Sequence, residues 1–457
     1  MNTLTMPRKT RIVLTDYPYR RDIENRLLLS HLSVVEVDLL CEILHCSLNI
    51  SIEQLADSLD IDLAELLPAL DKLAPMKLFK RLHHTLIVDK EMRKYYEIQM
   101  EKFDEDFEPD LEFLQSLLNK VPIHVLPLWY AIPRHSDNIF ASIIENYFLT
   151  PKIFRQYLNE LEFDDPLLSN IMDDVYQAPG FKMRAQTLID KYHLSREAFE
   201  EALLMLEYHF VCCLSYTKIG NHWEETVTPF YELHQFMLFE DLNKPQPIPY
   251  TSSIAHSCSE EFGFIKEMEA VIIACQSTLR EKKEFKPLFL TIQEEYAHLF
   301  EKLIQIGYIA EDHTQKKYSA TEKGLLWIKK AIPERVNELT FHWLITPSPA
   351  VDSPHLWNAR NLRLIEKYLK RLKTNEWVYL EDFLKGFIAP LGNREAVMLK
   401  NKGKKWKYAL PVYQPEELAY VRVVITERLY ELGIVLTGQH NDKVCFCVTS
   451  FGHQFIH

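Results

Sequence analysis

Two stretches of the chain repeat one order of apolar and polar positions. Leu303–Ile328 and Leu429–Ile456 each begin as an apolar helix that ends in a Leu-X-X-X-Gly step. Two short apolar strands around a polar turn follow, and then a Thr or Ser shortly before a Gly that leads into another helix. Helical spacing and strand alternation of the apolar residues predict these elements. Each stretch is therefore expected to fold as a helix, a β-hairpin and a second helix.

A related pattern occurs twice in the first half of the chain. In one copy, Ser51 is the predicted N-cap of an amphipathic helix, and Leu78–Val88 is a predicted β-hairpin with exposed His83 and His84 near its turn. In the other copy, Ser195 is the predicted N-cap of a helix that runs into two more strands. These patterns predict a fold that is mainly α with short β-hairpins.

The patterns divide the chain into four units. Their spacing is irregular, which indicates an array of units rather than a solenoid with a fixed period. A proline-rich segment, Pro245–Pro249, is predicted to be a linker between two halves. The four predicted units are residues 27–98, residues 111–241 as a helical region with the second unit, residues 264–337, and residues 356–457.

Composition disfavours several classes of protein. Only 11 of the 457 residues are Gly, which disfavours glycine-rich phosphate loops. The net charge of −13 disfavours nucleic-acid binding over the whole chain, because phosphate requires a basic face. The 8 Cys are scattered without a disulfide framework, so a cytoplasmic location is predicted. No apolar run reaches about 18 residues, and no membrane contact is expected.

One segment departs from the acidic average. Residues 358–408 contain 13 basic and 5 acidic residues, a net charge of +8. Lysines interleave there with aromatic rings, a combination that suits a DNA or RNA backbone or an unpaired strand. The candidate nucleic-acid-binding residues are Arg360, Arg363, Lys400, Lys402, Lys404, Lys405, Trp406 and Lys407. The alternative is a solvated basic loop, or a patch that docks on an acidic unit of the same chain.

The helices that would enter a DNA groove are acidic in the other three units. They correspond to Asp62–Asp71, Arg196–Glu207 and Thr291–Lys302. Base edges and phosphates are contacted by basic and amide side chains, and carboxylates repel phosphate. These three units are therefore expected to contact proteins rather than DNA.

Metal and catalytic chemistry have little support in the sequence. Cys445 and Cys447 lie near His453 and His457, but their spacing fits no common zinc pattern, so packing cysteines are the preferred interpretation. We find no glycine-rich nucleotide loop and no common hydrolase motif. No metal, cofactor or catalytic residue is predicted. Pro109-Asp110 begins like a metal-dependent nuclease motif, but the Glu-X-Lys that should follow is absent nearby.

The closing segments resemble winged-helix proteins of the regulator type. Tyr318–Gly324 (YSATEKG) matches the family pattern closely, and Val448–Gly452 (VTSFG) matches it loosely. The tandem arrangement is also similar to winged-helix accessory proteins of XPB-type helicases. The resemblance covers about 30 residues in each copy and implies a tandem winged-helix array. It carries over no functional residue, and fold alone does not supply function.

We expect a non-enzymatic scaffold or accessory factor that contacts an unknown protein partner through its acidic units. Its basic C-terminal unit is expected to contact nucleic acid. One alternative is a protein–protein adaptor without nucleic-acid binding. The other is an enzyme, such as a nuclease, with an unrecognised site in residues 101–134.

Overall fold

The computed structural model describes most of the chain. It covers residues 11–104, 107–133, 138–276, 280–281, 284–291, 293–312, 314, 317–343, 347–392, 394–403 and 405–456. The fold is mainly α with short antiparallel hairpins, as the sequence predicts. Ser51 and Ser195 are N-caps, as predicted, and accept hydrogen bonds from the backbone N–H groups of Gln54 and Ala198.

The α-helices account for most of the regular structure. None of those in the described residues is both long and apolar enough to cross a lipid bilayer. In chain order they are α1 (Tyr19–Leu29), α2 (Val34–His45), α3 (Ile52–Leu59), α4 (Leu63–Leu73), α5 (Lys90–Met100), α6 (Leu111–Leu118), α7 (Leu126–Trp129), α8 (Ile139–Ile143), α9 (Pro151–Glu160), α10 (Pro166–Gln177), α11 (Ala185–Tyr192), α12 (Arg196–Tyr208), α13 (Tyr231–Leu242), α14 (Gly263–Ala274), α15 (Gln293–Ile306), α16 (Glu322–Trp327), α17 (Ile332–Trp343), α18 (Ala359–Leu369), α19 (Leu380–Lys385), α20 (Pro415–Val423) and α21 (Ser450–Ile456). Two π-helical turns, Ile144–Phe148 and Val424–Leu429, continue α8 and α20.

The β-strands are short and pair antiparallel. They are β1 (Asn49–Ser51), β2 (Phe79–Leu82), β3 (Thr85–Val88), β4 (Met183–Arg184), β5 (Cys213–Ile219), β6 (His222–Thr228), β7 (Ala255–His256), β8 (Arg280–Glu281), β9 (Ile309–Asp312), β10 (Lys317–Ala320), β11 (Val378–Tyr379), β12 (Met398–Lys402), β13 (Lys405–Ala409), β14 (Val435–His440) and β15 (Lys443–Val448). The hairpin predicted at Leu78–Val88 is confirmed as β2 and β3, with His83 and His84 exposed at the turn.

Four sheets share one strand order. The orders are β1-β3-β2, β4-β6-β5, β8-β10-β9 and β11-β15-β14-β7. In each order the first three strands form a set, in which the strand that comes first in the sequence pairs with the last one, and the last one also pairs with the strand before it. The fourth sheet has β7 as an additional strand beside β14. In the first, second and fourth sets, the first strand runs directly into a helix, which is α3, α11 or α19. The same short supersecondary unit therefore recurs along the chain.

The first two sets also share the turn between their helices. Asp60 and His193 follow α3 and α11 with left-handed backbone angles, φ of 53° and 52°. The next N–H in each case donates back into the helix, from Ile61 to the Ala56 carbonyl and from Leu194 to the Ile189 carbonyl. Asp and His are among the few residues with a side chain that adopt this conformation readily.

Two hairpins are closed by a threonine and a glycine. The Thr321 hydroxyl donates to the Gly307 carbonyl at 2.7 Å, and the Thr449 hydroxyl donates to the Gly433 carbonyl at 2.7 Å. Each hydroxyl also accepts from the N–H of the glycine three residues later, at 3.1 Å and 2.8 Å. Leu303–Ile328 and Leu429–Ile456 thus share these atomic contacts as well as their residue pattern.

The chain forms two compact units. Unit 1 is Met1–Leu238 with Met398–Ala409, and unit 2 is Phe239–Val397 with Leu410–His457. The division into four domains stays a prediction. The proline-rich segment lies inside unit 2, where Ile248 donates its N–H to the Trp377 carbonyl at 2.8 Å. Ile248 is buried, whereas Pro247 and Pro249 are exposed, so Ile248 attaches the segment to unit 2, and the segment's role as a linker stays a prediction.

Both faces of β15 are buried in unit 2. Phe446 and Val448 belong to the main apolar core. Cys445 and Cys447 pack on the other face with Trp377 and Ile248, in a second apolar cluster. Strand alternation places these two sets on opposite faces of β15, and the second face is covered because Ile248 and Trp377 pack on it.

Candidate functional site

The lysine-rich segment folds as the hairpin β12–β13 and belongs to unit 1, although its flanks belong to unit 2. The hairpin is anchored by the paired residues Leu399 and Tyr408, whose exposed fractions are 5% and 9%. Leu399 donates its N–H to the Leu149 carbonyl at 2.9 Å, and the Tyr408 hydroxyl donates to the Phe148 carbonyl at 2.8 Å. Carbonyls at the end of a helix lack partners within that helix, so these two bonds satisfy groups that need a donor.

The other face of the hairpin carries lysines. Lys405 and Lys407 are exposed and alternate with the half-buried Trp406 and the buried Tyr408. The backbone register places Lys400 opposite Lys407 and Lys402 opposite Lys405. Like charges directly across a strand pair destabilise it, so this arrangement favours an anionic ligand. Lys404 lies outside the described residues, as does the side chain of Lys402.

The two arginines of the predicted site belong to unit 2. Arg360 and Arg363 lie on α18, where the Arg360 guanidinium donates to the Gly392 carbonyl and Arg363 is exposed. Other basic residues of the 358–408 segment form ion pairs, as Arg394 does with Glu417 at 2.7 Å. The basic residues of this segment are therefore divided between two units.

A cleft of about 930 Å³ adjoins the hairpin in unit 1. Its walls come from β5, from the segment before α6, from the start of β4 and from the hairpin. The lining residues are Phe107, Glu108, Lys182, Ser215, Tyr216, Thr217, Lys218, Gly220 and Lys405. Three ammonium groups and one carboxylate thus face a common space, which gives the cleft a positive charge.

Strand β5 supplies much of the cleft because its two ends differ. Cys213–Tyr216 is buried, whereas Thr217–Ile219 is exposed and leads to a turn at Gly220. Gly220 has φ of 60° and lies between Ile219 and His222, which are paired across the two strands. The strands are therefore joined by a two-residue turn. Such turns require left-handed backbone angles, for which glycine has no steric cost.

Aromatic rings support the charged groups of the cleft. The Lys405 ammonium lies 5.5 Å from the centre of the Tyr231 ring, within the range of a cation–π contact. Burial raises the pKa of Tyr231, and the Glu108 carboxylate beside its hydroxyl raises that pKa further. Tyr216 is held below the cleft by a stacked contact with Phe103 at 4.2 Å.

Glu232 is buried next to Tyr231 and is incompletely paired. One carboxylate oxygen accepts the Leu111 N–H at 3.1 Å, while Oε2 has no hydrogen-bond partner among the described residues. Burial raises the pKa of Glu232 to about 8, and the nearby Asp110 and Glu108 carboxylates act in the same direction. This carboxyl group is therefore mainly protonated at neutral pH.

The helices that would read a DNA groove are core elements in two of the four sets. Helix α12 buries Glu200 and Glu207 at 0% exposure, together with Phe199 and most of its apolar residues. Helix α20 and the π-helical turn after it bury Tyr420 and Arg428. Buried side chains cannot reach base edges, so these two helices are poorly placed to read a base sequence.

The residues proposed for metal or nuclease chemistry have structural contacts. Asp110 is the N-cap of α6 and accepts the N–H groups of Glu112 and Phe113. Burial raises the pKa of Cys445 to about 11 and that of Cys447 to about 12, which disfavours the thiolates that bind metals. Within the described ranges, no group of three or more His, Cys, Asp or Glu side chains could hold a metal ion.

The sequence did not indicate Lys182, Lys218, Phe107 or Tyr231 as site residues. They lie far from residues 400–407 in the sequence, and the fold brings them together with Lys405. Counting charges along the chain cannot detect such a site. The only signal in the sequence is the polar end of strand β5, which predicts that Lys218 is exposed.

No family model matches this chain, and no curated protein sequence matches it.

Proposed function

We propose that this protein is a non-enzymatic scaffold or accessory factor built of winged-helix units, and that it contacts nucleic acid through the hairpin β12–β13. The observation that carries the proposal is the exposed lysine face of a hairpin whose opposite face is anchored by Leu399 and Tyr408. Anchored ammonium groups bind phosphates at a smaller entropic cost than a mobile lysine loop does.

The recurring strand order supports the winged-helix part of the proposal. Four sets of helices and strands repeat one topology, and two of them share the threonine and glycine contacts. In the fourth set the hairpin β12–β13 is inserted between α19 and α20, where the first two sets have a turn between α3 and α4 and between α11 and α12. We infer that the insertion adds a binding element to a structural unit.

The expected binding is weak and independent of base sequence. Most of helix α12 is buried, and the hairpin presents ammonium groups, which contact phosphates rather than bases. Trp406 shares the face of Tyr408 and is half-buried, so it contributes less to stacking than a fully exposed ring would. Binding should therefore depend strongly on salt.

A protein–protein adaptor is the second candidate function. The net charge of −13 favours basic protein partners over nucleic acid for the surface outside the hairpin. This alternative predicts that removing the hairpin lysines leaves every interaction of the protein unchanged.

Fluorescence anisotropy with single-stranded and duplex oligonucleotides tests the proposal at two salt concentrations. Changing Lys400, Lys405 and Lys407 together to Ala should abolish most binding and lower the salt slope by about 2 to 3. The charge-matched control changes Lys90, Lys94 and Lys329, which are also exposed, and should bind like the unaltered protein. Absence of binding by the unaltered protein at low salt would favour the adaptor.

A further inference from the structure

We propose that the cleft beside β5 holds a stretch of phosphodiester backbone, so that one nucleic-acid strand contacts both the cleft and the hairpin β12–β13. This inference rests on the proposed function and extends it to a second set of residues. Lys182, Lys218 and Lys405 are the anion-binding groups, and Phe107 and Thr217 complete the site.

The charge of the cleft is the first argument. Three ammonium groups converge from distant positions of a chain whose net charge is −13, and Glu108 is the one carboxylate among the lining residues of the described chain. No carboxylate of the described residues lies within ion-pair distance of Lys182 or Lys405. Phosphate oxygens would pair with the ammonium groups of Lys182 and Lys405, since charge-assisted hydrogen bonds are among the strongest that proteins form.

The neutral groups of the cleft suit a nucleotide. Thr217 is exposed on β5 and carries a hydroxyl that donates to phosphate oxygens. Phe107 is half-buried, and an edge contact with the Phe113 ring at 5.6 Å holds it in place. A partly exposed ring beside ammonium groups is the combination that binds unpaired strands, because every base has a face that stacks.

The position of Lys405 favours a polymer over a small anion. Lys405 lines the cleft and also belongs to the exposed face of the hairpin, two residues before Lys407. A free phosphate would contact the cleft alone, whereas a strand passes from the cleft to the hairpin face. The cleft volume of about 930 Å³ is also larger than a single phosphate requires.

Lysine footprinting separates the cleft from the hairpin. The protein is treated with an amine-modifying reagent, with and without a saturating single-stranded oligonucleotide, and modification is measured at each lysine by mass spectrometry. Lys182 and Lys218 should be protected together with Lys405 and Lys407, while the exposed Lys90 keeps its reactivity. Inorganic phosphate and a polyglutamate peptide serve as the two comparison ligands.

The possible results have distinct meanings. Protection of Lys407 without Lys182 and Lys218 would overturn the cleft inference and leave the proposed function intact. Absence of any oligonucleotide binding would overturn both. Equal protection by polyglutamate would assign the cleft to an acidic protein segment, and equal protection by phosphate would assign it to a small anion.

A pair of variants tests the same inference by affinity. Lys182→Gln with Lys218→Gln should lower the affinity for a single strand about tenfold at low salt and lower the salt slope by about 1.5. Lys90→Gln with Lys94→Gln removes equal charge from exposed positions of the same unit and should change neither quantity. Equal affinities of the two double variants would contradict the cleft site.

Discussion

The second set of strands, in unit 1, and the two sets in unit 2 share a topology but are held together by different chemistry. In unit 1, helix α12 is fixed by ion pairs: Arg26 contacts Glu207 and Glu200, and Arg196 reaches Glu225 on β6. Arg26 is 3% exposed, and both of its partners are 0% exposed. In unit 2, neutral hydroxyl contacts of Thr321 and Thr449 join the hairpins to the preceding helices.

The difference shows that one topology can be held together by buried ion pairs or by neutral hydrogen bonds. The free energy lost when a contact is removed differs between the two. Removing one member of a buried ion pair leaves an uncompensated charge in the interior, which costs several times more than losing a neutral hydrogen bond. Unit 1 should therefore be more sensitive to single substitutions at its polar core than unit 2 is at its threonines.

The largest expected effect is that of Arg26→Met. It leaves Glu207 and Glu200 buried without their common partner, at a cost of about 3–5 kcal/mol in the free energy of unfolding. Urea unfolding measures the loss, and hydrogen exchange at α12 assigns it to unit 1. Arg93→Met, which removes an ion pair with the exposed Glu97, is the control and should cost less than about 1 kcal/mol.

A second variant tests whether the unpaired buried charge causes the loss of stability in Arg26→Met. Arg26→Met combined with Glu207→Leu removes both members of the closest pair, while Glu200 keeps its contact with Arg196 at 2.5 Å. Much of the lost stability should return, because the uncompensated charge is gone. If the double variant is as unstable as the single one, lost packing of the Arg26 side chain explains the effect instead.

The next largest effects are expected at two glycines of unit 2. A Cβ atom on Gly324 would lie 2.3 Å from the Tyr308 carbonyl oxygen, and one on Gly452 would lie 2.0 Å from the Ile434 carbonyl oxygen. The backbone must move in both cases, so Gly324→Ala and Gly452→Ala should each cost about 1–3 kcal/mol. Urea unfolding measures this, with Glu322→Ala and Gln454→Ala as controls at exposed positions of the same helices. Stabilities equal to those of the controls would contradict the close approach.

The contrast between the units also explains which parts of the fold the sequence predicts. The contacts of Thr321 and Gly324 reach 16 residues at most along the chain, and local caps such as Ser51 reach three. Patterns of that length are visible in a sequence, and the hairpins were predicted from them. The partners Arg26 and Glu207 are 181 positions apart, so neither residue indicates the other before the chain is folded.

The candidate site was predicted only in part for the same reason. The lysines of residues 400–407 are adjacent in sequence, and their run predicted a basic element that the structure contains as the hairpin β12–β13. The rest of the basic segment lies in unit 2, and Lys182 and Lys218 come from elsewhere in the chain. Charge along a sequence predicts a surface only where one local element carries the charge.

Substitution of Thr321 and Thr449 in unit 2 should lower the free energy of unfolding by less than substitution of Arg26 in unit 1. Thr321→Val and Thr449→Val keep the shape of the side chain but remove the hydroxyl, which should cost about 1–2 kcal/mol each. Thr449 is 1% exposed, so its loss should be the larger. Thr→Ser variants keep the hydroxyl and should retain most of the stability in urea unfolding. Equal losses for Ser and Val would indicate methyl packing rather than hydrogen bonding.

A pH-dependent effect is expected from the incompletely paired Glu232 of unit 1. Its pKa is raised from 4.5 to about 8, mainly by burial, so the folded state holds a proton that the unfolded chain releases. The stability from this group is fully present below pH 4.5 and is lost as the pH rises towards 8, by at most about 1.4 kcal/mol per pH unit.

Glu232→Gln should flatten the pH profile of urea unfolding in that window, whereas Glu91→Gln, at an exposed position, should leave it unchanged. Unit 2 provides the contrast, because its buried Glu267 accepts hydrogen bonds from the backbone N–H groups of Leu288 and Phe289. A profile that stays steep in Glu232→Gln would show that another group of unit 1 binds the proton.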